Sequence, residues 1–123
     1  MKREAQDQIL FNNYLRESDL TGFFEIKHSS TEYFNYCHFQ PHQLKSLQAL
    51  QKNGLVWKIS DTDPRLKPCD CFSTPPLYSY VVIKYPRAFV VIGIDDFLLE
   101  KSKGLKNLYY THACSIAHKV IHV

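Results

Sequence analysis

A mixed α/β domain built on a central sheet is the fold class that this sequence predicts, and three observations lead there. Runs of strand composition recur along the chain, as FFEIKH, LVWKIS, SYVVIK and AFVVIG. Segments with helical spacing and recognisable caps separate them. The resulting order, helix, strand, helix, strand, paired strands, helix, helix, interleaves the two types as a sheet flanked by helices requires. With 123 residues, 45% hydrophobic and 22% charged, the chain reads as a single folded domain over 1–123. It needs no disulfide or structural metal to hold its core.

The first element is a helix over residues 3 to 16, REAQDQILFNNYLR, with Ile9, Leu10, Asn13 and Tyr14 around one face and Ala5 and Gln6 a turn earlier. A tight turn at Gly22 then admits the strand FFEIKH. SSTEYFNYCHFQ mixes polar and aromatic residues at no clean period, which predicts a partly buried loop with at least two of Tyr33, Phe34 and Tyr36 in the core. QPHQLKSLQALQKNG is the clearest helix: Pro41 suits the first turn, Leu44, Leu47 and Leu50 share a face, and Gly54 stands where a C-terminal cap belongs. LVWKIS reads as the next strand and DTDPRLKPCDCFSTPP as an irregular, exposed connection. LYSYVVIKYPRAFVVIGI places two strands around a KYPR turn. Asp95 and Asp96 open a helix that Gly104 ends, and THACSIAHKVI is a last amphipathic helix.

A net charge of +3 permits contact with phosphates without demanding it. MKREAQDQIL has no apolar stretch of signal-peptide length, and FVVIGI is far too short to span a bilayer, so the expectation is no membrane partner and a cytoplasmic location, nucleoid-associated or in the host cytoplasm of a virus. Cys37, Cys69, Cys71 and Cys114 read as free thiols in that compartment. The C-x-C of Cys69 and Cys71 lacks a second pair at ligand spacing, so no zinc site is expected. His118 and His122, at i, i+4 spacing, read as solvent-facing for want of a third ligand.

The chemistry concentrates in SDLTGFFEIKH. Side chains two apart on a strand share a face, so Glu25 and Lys27 stand together while Ile26 turns away. A turn at Gly22 is expected to bring Asp19 to the same sheet edge. Two carboxylates suit Mg²⁺, which keeps several waters and leaves room for phosphate oxygens. An ammonium beside that ion is placed to contact a scissile phosphate or to hold the attacking water. At the start of the second helix, His42 and Gln43 present side-chain donors and the helix N-terminus to a phosphate. Lys45, Lys58, Lys84 and Arg87 are candidates for a surface that follows a nucleic-acid backbone, joined by Lys52, Lys101, Lys103 and Lys106.

Asp19, Glu25 and Lys27 in this order resemble the PD-(D/E)xK nuclease superfamily. The longer stretch FFEIKHSSTEYFNYCHFQPHQLKSLQALQKNGLVWKI is similar to the core of RecU-type Holliday-junction resolvases, in which an F-E-x-K strand precedes a loop, an H-Q pair at a helix start and an apolar strand. The resemblance covers about residues 19 to 60, with a weaker likeness in the hydrophobic strands to 97. It implies a restriction-endonuclease-like fold and a Mg²⁺- or Mn²⁺-dependent endonuclease acting on branched DNA in recombination and repair, as a homodimer that makes two symmetric cuts.

Carried over residue by residue, the resemblance makes Asp19 and Glu25 the metal carboxylates, with the Ile26 carbonyl as a further ligand. Lys27 positions water, Gln43 orients phosphate or water, and Glu4 is the acidic residue of the first helix that assists the metal. The superfamily places its Asp on a longer hairpin, whereas here only residues 20–24 intervene and Ser18 stands where the motif name has Pro, so a trimmed sheet is expected. Neither the stalk nor the basic N-terminal arm of the RecU type is expected in these 123 residues. The rival expectations are a catalytically inactive DNA-binding or regulatory protein of the same fold, and a protein-interaction module.

Overall fold

The computed structural model describes residues 3–59 and 69–123. Its centre is a four-stranded mixed sheet in the order β1-β5-β6-β8, formed by β1 (Phe23–His28), β5 (Ser79–Lys84), β6 (Ala88–Gly93) and β8 (Lys119–His122). β1 runs parallel to β5, and the β5–β6 and β6–β8 pairs are antiparallel. Helices lie on both faces, so the expected mixed α/β class with a central sheet is what the chain adopts.

β5 and β6 form the middle of the molecule. Covered on both faces, they read as continuous apolar runs, and Val81, Val82, Ile83, Val90, Val91 and Ile92 are wholly buried. The Tyr85–Ala88 turn closes this hairpin with hydrogen bonds of 2.9 and 3.3 Å between the two backbones. One face is covered by α1 (Arg3–Glu17), whose Phe11 contacts Phe24 and Phe89 at ring-centroid distances of 5.3 and 5.5 Å. The other face carries α2 (Pro41–Asn53), α3 (Ile94–Ser102) and α4 (Tyr110–Ile116), packed through Leu44, Leu47, Phe97 and Ala113.

Several sequence expectations are corrected. The buried stripe of α1 is Asp7 and Phe11 with Tyr14 and Leu15 behind, while Ile9 and Leu10 are exposed: a helix lying on a sheet of aromatic residues buries its one Phe in preference to a pair of aliphatic side chains. The expected loop after β1 contains a short strand, β2 (Tyr33–Asn35), and a 3-10 turn at Tyr36–His38. β2 pairs antiparallel with β7 (Asn107–Tyr109), burying Phe34 against Leu108.

The strand β3 (Leu55–Lys58) forms, but outside the central sheet. It pairs antiparallel with β4 (Cys71–Thr74), which lies within the stretch expected to be irregular. The part of that stretch at 60–68 lies outside the described residues. The last helix is shorter than its periodicity implies: Ala117 is extended (φ −70°, ψ 143°), and the chain turns into β8 with the His118 amide donating to the Val91 carbonyl at 2.8 Å. Cys37, Cys69, Cys71 and Cys114 are all free thiols. Among the described residues no helix is long and apolar enough to cross a membrane.

Candidate active site

β1 is an edge strand, and its pairing decides which of its groups stay open. The Phe23 amide donates to the Tyr78 carbonyl and the Ser29 amide to the Lys84 carbonyl, at 3.0 and 2.9 Å. In a parallel ladder these bonds recur at every second residue, so the backbone groups of Phe23, Glu25 and Lys27 turn to β5. Those of Phe24, Ile26 and His28 turn to the side of β1 that no described strand covers. Side chains alternate in the perpendicular sense: Phe24, Ile26 and His28 face α1, while Phe23, Glu25 and Lys27 face α2.

Glu25 and Lys27 therefore share a face, as their spacing implies. Lys27 Nζ lies 3.8 Å from Glu25 Oε1, with the lysine side chain 13% and the glutamate side chain 34% exposed. The ammonium also sits over the Phe39 ring, 5.5 Å from its centroid. Buried on one side by an aromatic face and neighboured by a carboxylate, it is held at the edge of the sheet instead of trailing into solvent.

Gln43 joins this pair from α2. Its Nε2 donates to Glu25 Oε1 at 3.0 Å, and its Oε1 accepts from the Gln40 amide at 3.1 Å. The two partners fix the amide orientation, since a carboxylate only accepts and a backbone N–H only donates. Pro41 in the first turn and Gln43 at the third position of the helix explain why the chain starts α2 here. Between β1 and α2 runs an open groove of about 410 Å³, lined by Gly22, Phe23, Glu25, His42, Gln43 and Ser46 among others.

The remaining expected residues lie elsewhere. Asp19 is exposed in the turn ahead of β1, and its electrostatic neighbour is Lys119 of β8, on the α1 side. Lys119 is held above its ordinary pKa first by the Tyr14 hydroxyl and then also by Asp19. Among the described residues no group of three or more His, Cys, Asp or Glu is gathered to hold a metal ion. Glu4 is exposed in the first turn of α1, on the other layer of the molecule; the acidic residue by which that helix meets β1 is Asp7, 2.6 Å from His28.

His42 lines the groove, and Lys45 is exposed on α2. Lys58 is exposed on the separate β3–β4 ribbon. Lys84 faces α1, donating to the Tyr85 carbonyl at 2.8 Å and lying over Phe89. Arg87 is paired with Glu32 at 3.2 Å and lies over Tyr110.

For a divalent cation these groups would offer at most a sparse set of oxygens. Glu25 would supply one carboxylate, and the Ile26 carbonyl, on the side of β1 away from β5, would supply a second oxygen. Mg²⁺ accepts one or two carboxylates when waters and substrate phosphates complete its shell. The second carboxylate expected, that of Asp19, is exposed in the turn before β1, where its charge acts on Lys119.

The Asp7–His28 pair and Phe39 beneath Lys27 were missed in the sequence. Asp7, Phe11 and Tyr14 at i, i+4 and i+7 were the available signal for the first, since they place a carboxylate on the buried face. Comparison with known protein families, with curated proteins and with solved structures finds no match to this chain. The fold and the site define its class: a mixed α/β domain with an acid, a lysine and a helix-borne glutamine on the open edge of its sheet.

Proposed function

We propose that this protein is a small metal-dependent endodeoxyribonuclease of the PD-(D/E)xK type, similar to Holliday-junction resolvases and acting on branched DNA as a homodimer. The observation that carries the reading is the cluster of Glu25, Lys27 and Gln43, with Lys27 Nζ 3.8 Å and Gln43 Nε2 3.0 Å from the same carboxylate oxygen. Three polar groups of different kinds converge there beside an open groove. The resemblance of this region to nuclease motifs supplies the substrate class.

In this reading Glu25 and the Ile26 carbonyl hold Mg²⁺ or Mn²⁺. When bound, the ion supplies charge neutralisation and a more acidic water. Lys27 places a positive charge where negative charge gathers on the phosphate, and its partial burial strengthens that interaction. Gln43 keeps the Glu25 carboxylate in one orientation. His42, at the groove and on the first turn of α2, meets an incoming phosphate, and Lys45 extends the positive surface along the helix.

Labelled four-way junction, linear duplex and single-stranded DNA, incubated with Mg²⁺, Mn²⁺ or EDTA, test the reading. Metal-dependent cutting is expected, with Glu25→Gln and Lys27→Ala each slowing it on the order of 100-fold or more. Asp19→Asn separates the two site geometries: cutting that survives this change removes Asp19 from the essential residues. Absence of cutting by the wild type with either metal sinks the nuclease reading.

The charge of Asp19, which acts on Lys119 of β8, favours a second reading, a nuclease-fold DNA-binding or regulatory protein without turnover. It requires DNA affinity that is equal in wild type, Asp19→Asn and Glu25→Gln.

A further inference from the structure

At the end of the central sheet where β5 begins and β6 passes into α3 lies a cavity of about 620 Å³, lined by Gln51, Tyr78, Tyr80, Asp95, Asp96 and His118 among others. The Glu25–Lys27 site uses none of these residues. The lining holds two carboxylates and no lysine or arginine, and among the described residues neither carboxylate has an ion-pair partner. Their place in the first turn of α3 suits the helix dipole, which accounts for the two charges and for nothing else in the cavity.

The dipole explains neither Tyr80 nor Gly93. Tyr80 is only 5% exposed, yet among the described residues no hydrogen bond engages its hydroxyl, and that oxygen is not sealed in. It opens into the cavity that the residue lines. A tyrosine buried to this degree usually gives its hydroxyl a partner. Gly93, also in the lining, has φ −59° and ψ 143°, a conformation open to any residue, and within 4 Å a Cβ there would meet only Asp96 Oδ2, at 3.6 Å. No backbone demand calls for a glycine at this position; its missing side chain leaves the space beside Asp96 open.

The polar groups stand on both sides of the sheet's end. Gly93 is the cross-strand partner of Tyr80, and opposite residues of an antiparallel pair send their side chains to one face. Asp96 Oδ2, lying where a Gly93 side chain would point, is therefore on the Tyr80 side, the face that α1 covers. Asp95 is held from the α2 side: its Oδ2 accepts from Gln51 Nε2 at 3.1 Å, and Gln51 Oε1 accepts from the Ser79 amide at 2.9 Å. One cavity thus offers a carboxylate at each side of the sheet, with apolar surface from Tyr78 and Ile116.

We propose that this cavity binds a short alkyl diamine as its dication, with one ammonium on Asp96 and the Tyr80 oxygen, the other on Asp95, and the methylenes against Tyr78 and Ile116. An ammonium has three donors and no acceptor, a match for carboxylates and a phenol oxygen. The proposal is independent of the nuclease reading.

The test follows the Gly93 and Asp96 amides and the Tyr80 ring by NMR in the full, isotope-labelled chain. The probes are diaminobutane, butylamine, butanediol, MgCl₂ and NaCl, titrated separately at matched ionic strength. Saturable movement with the diamine is expected, about tenfold tighter than with the monoamine, and none with the diol. Gly93→Val should abolish diamine binding without lowering the urea midpoint, because it fills the space and leaves every charge in place. Asp96→Asn, at an exposed position where folding is not at stake, should weaken binding about tenfold.

Movement that is the same with Mg²⁺ or Na⁺ overturns the proposal, since an acidic patch alone behaves that way. Equal binding of butylamine or of the diol overturns it too, as does diamine binding unchanged in Gly93→Val, or no movement with the diamine at all. DNA cleavage can fail while this titration succeeds, so the two readings fall separately.

Discussion

Gln43 and Glu25, eighteen positions apart, meet through a 3.0 Å hydrogen bond that ties the first turn of α2 to the edge strand of the central sheet. The same glutamine accepts from the Gln40 amide, so one side chain both starts the helix and orients the carboxylate. Local helix formation and the geometry of the candidate site thus depend on a single residue.

Replacing Gln43 with Leu removes both bonds at once. Because Glu25 is partly open to water, which substitutes for the lost donor, stability should fall by only about 1–2 kcal/mol. The urea midpoint measures this, and on the proposed nuclease reading DNA cleavage should fall far more than the midpoint suggests. Equal stability and equal cutting in the variant would remove Gln43 from the site.

Gly22 sets the entry of β1 with φ +154°, a conformation that L side chains rarely adopt. A Cβ there would collide with the Tyr78 carbonyl and lie 2.9 Å from the Tyr80 ring. That carbonyl is the acceptor for the Phe23 amide, so the collision falls on the first bond joining β1 to β5. Gly22→Ala should cost about 3 kcal/mol in urea unfolding and, on the proposed nuclease reading, lower cutting by shifting Glu25. A wild-type urea midpoint in this variant would show that the turn adapts freely.

What the sequence made legible follows from the range of the forces involved. α2 and the β5–β6 hairpin were readable because their signals are local: Pro41, the Leu44 and Leu47 stripe, Gly54 with φ +75°, and the Tyr85–Ala88 turn. β3 had the right composition but the wrong sheet, since its partner Cys71–Thr74 lies across a long connection. β8 hid inside a helical pattern because Ala113, Ala117 and Ile121 keep i, i+4 spacing while the backbone at Ala117 is already extended. Glu25 and Lys27 were visible through period two, and Gln43 through its helix start. Asp19, in the turn before β1, carries no comparable signal, because proximity along the chain says nothing about which face a turn presents.

Buried tyrosines give the fold an alkaline limit. Tyr36, Tyr80 and Tyr85 all have pKa values raised by burial, with smaller contributions from Glu100 at Tyr36, from Tyr78 at Tyr80, and from Tyr36 and Cys114 at Tyr85. In the unfolded chain they ionise first, near pH 10. Stability is therefore complete below that value and is lost as pH rises through and above it. Urea midpoints should be level near neutrality and fall steadily above about pH 10. Tyr85→Phe should flatten the fall. It should also cost about 1 kcal/mol at neutral pH, because the Tyr85 hydroxyl donates to the Leu108 carbonyl at 2.8 Å. An unchanged alkaline slope in this variant would assign the fall to other groups.

Glu100 sets the opposite limit. Its two oxygens accept from Lys103 Nζ at 2.8 Å and from His112 Nε2 at 2.7 Å, joining the end of α3 to α4. These bonds, Lys103 first and His112 second, hold its carboxyl below the ordinary range. A carboxyl whose folded pKa is lowered stabilises the protein above the unfolded value, about pH 4.3, and that contribution disappears as pH falls through the folded pKa. Glu100→Gln should therefore flatten the acid limb of the stability curve, and Lys103→Met should do so more than His112→Gln. The same carboxylate also raises the pKa of Tyr36 through its charge. The Gln variant should accordingly ionise Tyr36 at lower pH, read from the ultraviolet absorbance of phenolate. A flattened acid limb with no change in tyrosine titration would mean that Glu100 anchors α4 without reaching the core.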